Sequence, residues 1–329
     1  MRRRAVMRCT VTGRALKRGA ATWRAGAFRG LAAALSGVAG GAVVAIACAG
    51  CAQAPGPPAA PATPEHVFSI TAAPTADSAT VALWHMDEVG GLRLEDSGPL
   101  HLEAVYGRDT RPEFGRFNSA RRFTISNDSF AYLAYTPDLD LGREWTIEAW
   151  INPDGFGLYE ATVIAARWIG VANQQSWLLG LSGRHIMPTG ATSQSPGLLT
   201  IIAGNAPVGV LLFAIQPESA GEPRTFFSTR PIETGRWTHV AVTDDGQVLR
   251  IYLDDRLDAQ FANPEAIRRS DAPLAIGNLI DPSQLTEFEG SLRVNPSLAT
   301  DPVYSFQGLM DEVRLSDTAR NPARGASRR

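Results

Sequence analysis

The chain has 329 residues, 44% of them hydrophobic and 19% charged, the proportions of a globular protein with a sizeable core. Residues 1–50 hold nine of its 31 basic residues and none of its 33 acidic ones. The rest therefore carries 22 basic against 33 acidic residues, which argues against a nucleic-acid partner, since such binding neutralises phosphates with Lys and Arg. The single lysine, Lys17, lies near the start, so the body of the chain has none for a Schiff base or a phosphate-gripping loop.

Arg2 to Arg29 form a basic head, Leu31 to Gly50 an apolar run, and Cys48-Ala49-Gly50-Cys51 a small-residue site. That order is the signature of a secretory signal, placed here at residues 1–51. Ala49-Gly50-Cys51 resembles a bacterial lipobox, which implies lipidation of Cys51 and an exported, membrane-anchored lipoprotein in the periplasm or at the cell surface. Cys48 replaces the usual Leu and is a second candidate for the modification; secretion without a lipid and an uncleaved anchor are the alternatives. Cys9, Cys48 and Cys51 are the only cysteines, so the body has no disulfide and no thiol chemistry. Residues 52–75, with Pro55-Gly56-Pro57-Pro58 and Pro61-Ala62-Thr63-Pro64, read as an extended, semi-stiff linker.

From Thr80 onward, breakers such as Gly90-Gly91, Ser97-Gly98-Pro99, Asn152-Pro153-Asp154-Gly155 and Asp281-Pro282 separate short apolar or alternating runs. Many short strands with regular turn signals predict an all-β, two-sheet antiparallel sandwich. Strands are expected near 80–86, 101–105, 121–125, 130–133, 144–152, 161–168, 175–182, 198–203, 209–215, 224–229, 237–243, 247–254, 272–277 and 304–316. Asp244-Asp245-Gly246-Gln247 predicts a tight hairpin. Met187 to Pro196 and Glu218 to Pro223 read as loops. In Gly308 to Asp317 the alternation puts Leu309, Asp311, Val313 and Leu315 on one face and Met310, Glu312, Arg314 and Ser316 on the other. A carboxylate in that apolar row needs a partner: an Arg, a set of backbone N–H donors, or a hard metal ion.

Four motifs in order resemble the laminin-G-like, concanavalin-A-like jelly-roll family. They are Trp84-His85-Met86-Asp87-Glu88 with Asp96-Ser97-Gly98; Trp145-Thr146-Ile147-Glu148-Ala149-Trp150; Trp237-Thr238-His239-Val240-Ala241-Val242 with Leu249 to Asp254; and Phe306 to Leu315. The resemblance runs from about Thr80 to Ala319. It implies a single jelly-roll domain over 76–320, with 321–329 a disordered tail. It also implies a structural calcium where the first and last strands meet, held by Asp87 and Asp311 with Gly107 as a carbonyl donor. The alternative is that Asp311 caps turn N–H groups and Asp87 is solvated.

Alternation further places Glu148, Trp150, His239, Arg250 and Tyr252 on one face, where aromatic rings and hydrogen-bonding groups would suit a sugar. The competing reading is that these residues pack under loops, and that Trp168 and Trp177 are core. No catalytic pattern stands out. Glu287-Phe288-Glu289 is the closest pair of carboxylates and reads as an exposed loop, and the histidines are scattered singly. The expectation is a non-catalytic module that binds a glycan or an envelope or extracellular protein. A purely structural surface module is the second reading, and a glycan hydrolase or lyase the third.

Overall fold

Val, Ile, Leu, Trp and Thr dominate the long runs of the chain's second half, and such residues suit the pleated, half-buried surface of a strand. The computed structural model describes residues 67–68, 71–157, 161–169, 174–184, 206–219, 221–262, 265–288, 290–298 and 304–322. All lie in one unit that spans residues 59–329. The leader, Cys48 and Cys51, most of the linker, the strand expected at 198–203, the loop at Met187 to Pro196 and residues 323–329 lie outside the described residues.

In chain order the strands are β1 (Val67–Phe68), β2 (Thr80–Trp84), β3 (Arg93–Leu94), β4 (Ala104–Tyr106), β5 (Arg111–Phe114), β6 (Ser119–Phe123), β7 (Ala131–Leu133), β8 (Trp145–Pro153), β9 (Ala161–Trp168) and β10 (Gln175–Ser182). They continue with β11 (Val210–Ile215), β12 (Arg224–Pro231), β13 (Thr238–Asp244), β14 (Val248–Leu253), β15 (Arg256–Ala262), β16 (Leu274–Ile276), β17 (Leu285–Phe288), β18 (Ser291–Val294), β19 (Gly308–Ser316) and β20 (Asn321–Pro322). One large sheet runs β15-β14-β13-β8-β19-β6-β5, with β2 also paired to β19; the other runs β12-β11-β10-β9-β16-β7-β4-β3. The pairings within both are antiparallel. The all-β, two-sheet sandwich expected from the sequence is the observed architecture.

The main core lies between the sheets. Trp145, Ile147, Ala149 and Ile151 of β8, Val240 and Val242 of β13 and Leu249, Ile251 and Leu253 of β14 enter it from one side; Trp177, Leu179, Leu211 and Phe213 enter from the other. Each fully buried Val, Leu, Ile or Phe among them contributes about 1.5–3 kcal/mol. Trp177 is therefore core, as expected. Trp168 belongs to a second apolar layer on the far face of β9, β10 and β11, with Leu178 and Leu212.

Strict alternation fails in β19. Its register with β8 shifts between Asp311 and Arg314, and Glu312 has φ +53°, the left-handed region. A bulge inserts one residue and changes which face follows. Met310, Val313 and Leu315 consequently line the core, whereas Leu309 and Asp311 do not. The expected apolar row through Leu309, Asp311, Val313 and Leu315 is thus corrected.

The short edge strands β3, β5 and β15 were not expected. β3 is two residues long and β5, Arg111-Pro112-Glu113-Phe114, carries no apolar period; β15 alternates Leu257, Ala259 and Phe261 but follows the Leu249–Asp254 run with only a tight turn between. The Asp244–Gln247 hairpin forms as expected, with Gly246 at φ +78° and Asp245 Oδ1 accepting from the Gln247 and Val248 N–H groups at 2.9 and 2.8 Å. Glu287 sits in β17 rather than in a loop, paired opposite Leu292. At the two ends of the described chain, β1 lies parallel to β20, so the expected linker and tail both contribute a strand.

Candidate functional site

Two groups of polar residues gather on the face of the β8–β13–β19 sheet that points away from the core. The first surrounds the bulge. Asp311 is fully buried, and its Oδ2 accepts from the backbone N–H of Arg116 at 2.8 Å and of Phe117 at 3.0 Å. Successive N–H groups of a tight turn make a cradle for an anion. Gly115 permits it: a Cβ there would lie 2.7 Å from Asp311 Oδ2 and 2.2 Å from the Ser119 carbonyl oxygen. Asp87 grips the same turn, accepting from Ser119 N–H at 2.9 Å and from Asn118 Nδ2 at 3.0 Å. His85 Nδ1 meets Glu312 Oε2 at 2.6 Å.

This corner holds an excess of carboxylates. Burial pushes Asp311 up to about 8, against the two N–H bonds and helped by the charges of Glu312 and Asp87. In the Glu312–His85 pair the carboxylate raises the imidazole, and burial raises the carboxyl. Asp311 Oδ1 and Glu312 Oε1 are buried without a hydrogen-bond partner among the described residues. Asp87 and Asp311, the residues expected to hold calcium, are indeed brought together on one turn. Gly107 makes its own set of contacts. Its N–H donates to Phe130 O, its carbonyl accepts from Thr110 Oγ1, and its Cα faces the Asp128 carbonyl. The glycine beside Asp311 is Gly115. Among the described residues, no three His, Cys, Asp or Glu side chains converge as a metal-holding group.

The second group is a line of charges across three strands. Glu148 of β8 pairs with Arg314 of β19 through Oε1, and its Oε2 lies 3.3 Å from His239 Nε2 of β13. His239 Nδ1 in turn lies 3.2 Å from Asp255 Oδ1. Burial alone would neutralise both partners. For His239 the Asp255 and Glu148 carboxylates outweigh it and raise the imidazole to about 9. For Glu148 the His239 and Arg314 cations outweigh it and hold the carboxyl below its usual value. Trp150 lies beside this line, 5.4 Å from the His239 ring and 5.8 Å, edge-on, from Phe117, with the Arg116 guanidinium 4.7 Å from its ring centre.

Of the five residues expected to line a sugar-binding face, Glu148, Trp150, His239 and Tyr252 are each 4% exposed or less. They share the outward face, as alternation required, but are packed into it. Trp150 is closed over by Arg116 and Phe117. The chain end crosses the Tyr252 region: Tyr252 Oη lies 3.4 Å from Asn321 Oδ1, and Thr146 Oγ1 donates to Thr318 O at 2.7 Å and accepts from Arg320 N–H at 2.8 Å. Arg250 is half-buried and pairs with Asp245 at 2.6 Å.

Sequence reasoning gave no structural role to several residues that organise this region. Asp96 accepts from the N–H groups of Leu83, Gly98 and Leu102, each at 2.7 Å, and so closes the turn after β3 onto β2. Arg167 and Arg320 are fully buried and Arg121 nearly so. Arg167 donates to the carbonyls of Leu139, Ser270 and Ala272 and to Asp140. Arg320 holds Asp77 at 2.6–2.8 Å and keeps its carboxyl well below the usual range. Arginine is seldom fully buried, so no pattern in the sequence singled these out.

A two-sheet jelly roll with this arrangement is a lectin-like sandwich. The model of the family described as the concanavalin A-like lectin/glucanases superfamily, Laminin_G_3, matches residues 126–294, a little over half of the chain, and the chain belongs to that family. No curated protein matches it. Among solved structures it is similar to the binding domain of Paraclostridial Mosquitocidal Protein 1, at TM-score 0.51 and 11% identity over 74% of this chain and 50% of that one. It is also similar to the Botulinum Neurotoxin Type G receptor binding domain, at 0.47 and 13% over 74% and 49%. A third is domain 4 of AbnA, a GH43 extracellular arabinanase from Geobacillus stearothermophilus, in complex with arabinotriose, at 0.45 and 16% over 74% and 95%. The chain spans about half the length of the toxin domains, and the likeness to the first of them shows the fold alone.

Proposed function

We propose that the protein is a non-catalytic glycan-binding module held at the cell envelope. The family's description spans lectins and glucanases. The use of the buried carboxylates favours the first: Glu148 holds Arg314 and His239, Glu312 holds His85, and Asp311 holds a turn's N–H groups. Hydrolysis of a glycosidic bond requires two carboxyl groups that flank the substrate as acid and base or nucleophile, about 5–9.5 Å apart. These three are instead fixed inside the sheet by their own partners. A glycan array probed with the exported chain, with calcium and with chelator, tests the reading. Binding to one glycan class is expected, and binding to none would overturn it in favour of a protein-binding or structural role.

The leader supports a lipid anchor at Cys51. Metabolic labelling with a radioactive fatty acid should mark the wild type and not Cys51→Ser; if Cys51→Ser stays labelled, the modified residue is Cys48. The family also implies calcium at the bulge. The two orphaned oxygens, Asp311 Oδ1 and Glu312 Oε1, fit a cation there, with backbone carbonyls completing the six to eight oxygens calcium takes. Its work would be to neutralise the corner and pin the Gly115–Ser119 turn. Excess chelator should then lower the melting temperature, since a metal held only by the native state stabilises it. An unchanged melting temperature would mean that a proton does the neutralising.

A further inference from the structure

Among the described residues, the two most exposed large apolar side chains are Phe114, at 94%, and Val89, at 82%. Single apolar side chains on a surface are ordinary. These two, however, come to one corner. Ser119 lies opposite Phe114 in the β5–β6 register, and its N–H donates at 2.9 Å to Asp87, two residues before Val89. Asn118 Nδ2 donates to the same carboxylate at 3.0 Å. Gly90 and Gly91 follow Val89, and a Cβ on either would meet nothing within 4 Å, so this loop reaches into open space. The hairpin tip is fixed rather than loose: Asp311 holds the Arg116 and Phe117 N–H groups, and Phe114 is the last paired residue of β5. The fold itself keeps Phe114 in water.

Charge completes the corner. Residues 111–122 carry four arginines against one glutamate, in a body that is acidic as a whole. Arg121 is buried over Tyr106, and Arg122 is held by Glu113 and Asp154. The guanidiniums presented at the tip are those of Arg116, which is exposed, and Arg111, 63% exposed and sharing Glu113 with Arg122. The neighbouring acids are engaged by the fold: Asp87 by the turn, and Glu88 by Tyr106 Oη at 3.1 Å and the Glu95 N–H at 2.8 Å. Small ligands take concave sites, and a convex apolar tip offers none. Such a tip suits a partner that deforms around it. At a bilayer surface, apolar side chains enter the headgroup–acyl boundary and arginines stay with anionic headgroups. The entry of the chain agrees. Val67 pairs with Asn321, whose Oδ1 lies 3.4 Å from Tyr252 Oη, on the same outward sheet face where Arg116 and Phe117 close over Trp150.

We propose that the Val89–Phe114 corner is a membrane-contact site: the two apolar side chains enter the interface of a bilayer that contains anionic phospholipid, and Arg111 and Arg116 lie among its headgroups. The proposal rests on the envelope location in the reading above and goes beyond it, because the folded domain itself touches lipid. It is independent of what the domain binds.

The test uses nitroxide labels on the full exported chain, mixed with vesicles of phosphatidylglycerol and phosphatidylcholine. The body has no cysteine of its own, so Phe114→Cys, Val89→Cys and Leu257→Cys each add one labelling site to it; the signal of the unsubstituted chain is subtracted. Leu257, 51% exposed on β15 at the other edge of the sheet, is the control. Labels at 114 and 89 should be relaxed more by oxygen, which concentrates in lipid, than by a water-soluble nickel chelate, and the label at 257 the reverse. Vesicles of phosphatidylcholine alone, or Arg111→Gln with Arg116→Gln, should return both tip labels towards the aqueous value. Phe114→Ser should do the same to the label at 89 without moving the melting temperature. Tip labels as aqueous as the one at 257 overturn the proposal. Insertion indifferent to phosphatidylglycerol and to both arginines overturns the anionic headgroup. Tip labels shielded from both reagents without vesicles mean that a second copy of the chain covers the corner, which also overturns it. Fatty-acid labelling at Cys51 decides the anchor separately, so loss of the contact and loss of the anchor are told apart.

Discussion

The carboxylate of Asp311 accepts two backbone N–H bonds through one oxygen and has a bare second oxygen, inside a corner that also holds Asp87 and Glu312. Its pKa is raised from 3.8 to about 8, so the folded protein binds a proton there more tightly than the unfolded chain. Stability contributed by that proton is lost as pH climbs from about 4 to about 8. Asp311→Asn keeps one acceptor oxygen and should flatten the pH dependence of the melting temperature across that window. If a cation neutralises the site instead, the same variant should melt earlier in calcium. Gly115 is the second residue of consequence. Gly115→Ala drives a Cβ onto the Ser119 carbonyl and the Asp311 carboxylate, and should cost about 1–3 kcal/mol in denaturant unfolding.

At the scale of elements, β8, β13 and β19 are joined on their outward face by Arg314, Glu148, His239 and Asp255 as well as by backbone bonds. Removing one member of a buried ion set leaves the others without compensation. Glu148→Ala should therefore cost about 3–5 kcal/mol, read as a shift in the urea midpoint. His239, raised from 6.5 to about 9, contributes stability that is complete below pH 6.5 and gone once pH passes about 9. A wild-type melting profile that rose between pH 7 and 9 would contradict both this assignment and that of Asp311. The alternation of β8, β13 and β14 was legible because those strands keep their own period in the sheet interior, with one mostly apolar face. In β19 it was not, because Glu312 leaves the extended region and no residue type announces a bulge. The meeting of Asp87 with Asp311 was legible from the paired motifs. Gly115 was hidden in the short β5–β6 hairpin, where Pro112 and four arginines mask any period.

At the scale of the whole molecule, the end of the chain is part of the sheet's cover. Arg320 is fully buried against Asp77, Ser316 and Thr80, and Thr318 and Arg320 use both capacities of the Thr146 hydroxyl. Truncation after Asp317 strips those partners and should destabilise the domain by about 1–3 kcal/mol, seen as an earlier melt. In the sequence the domain stops at residue 320 and gives way to a tail, since Asn-Pro-Ala-Arg carries no strand pattern. Only the register of Val67 with Asn321 reveals that the two ends pair.

That pairing bears on how the chain could be rewired. Because β1 and β20 run parallel, with Pro322 beside Phe68, a Gly-Ser bridge from Pro322 to Val67 must turn back along the pair, and the Asp245-Gly246 hairpin is a tight turn at which to cut. A version of residues 67–322 so bridged and opened at Gly246 keeps the β1–β20 pairing while moving both free ends to the β13–β14 turn.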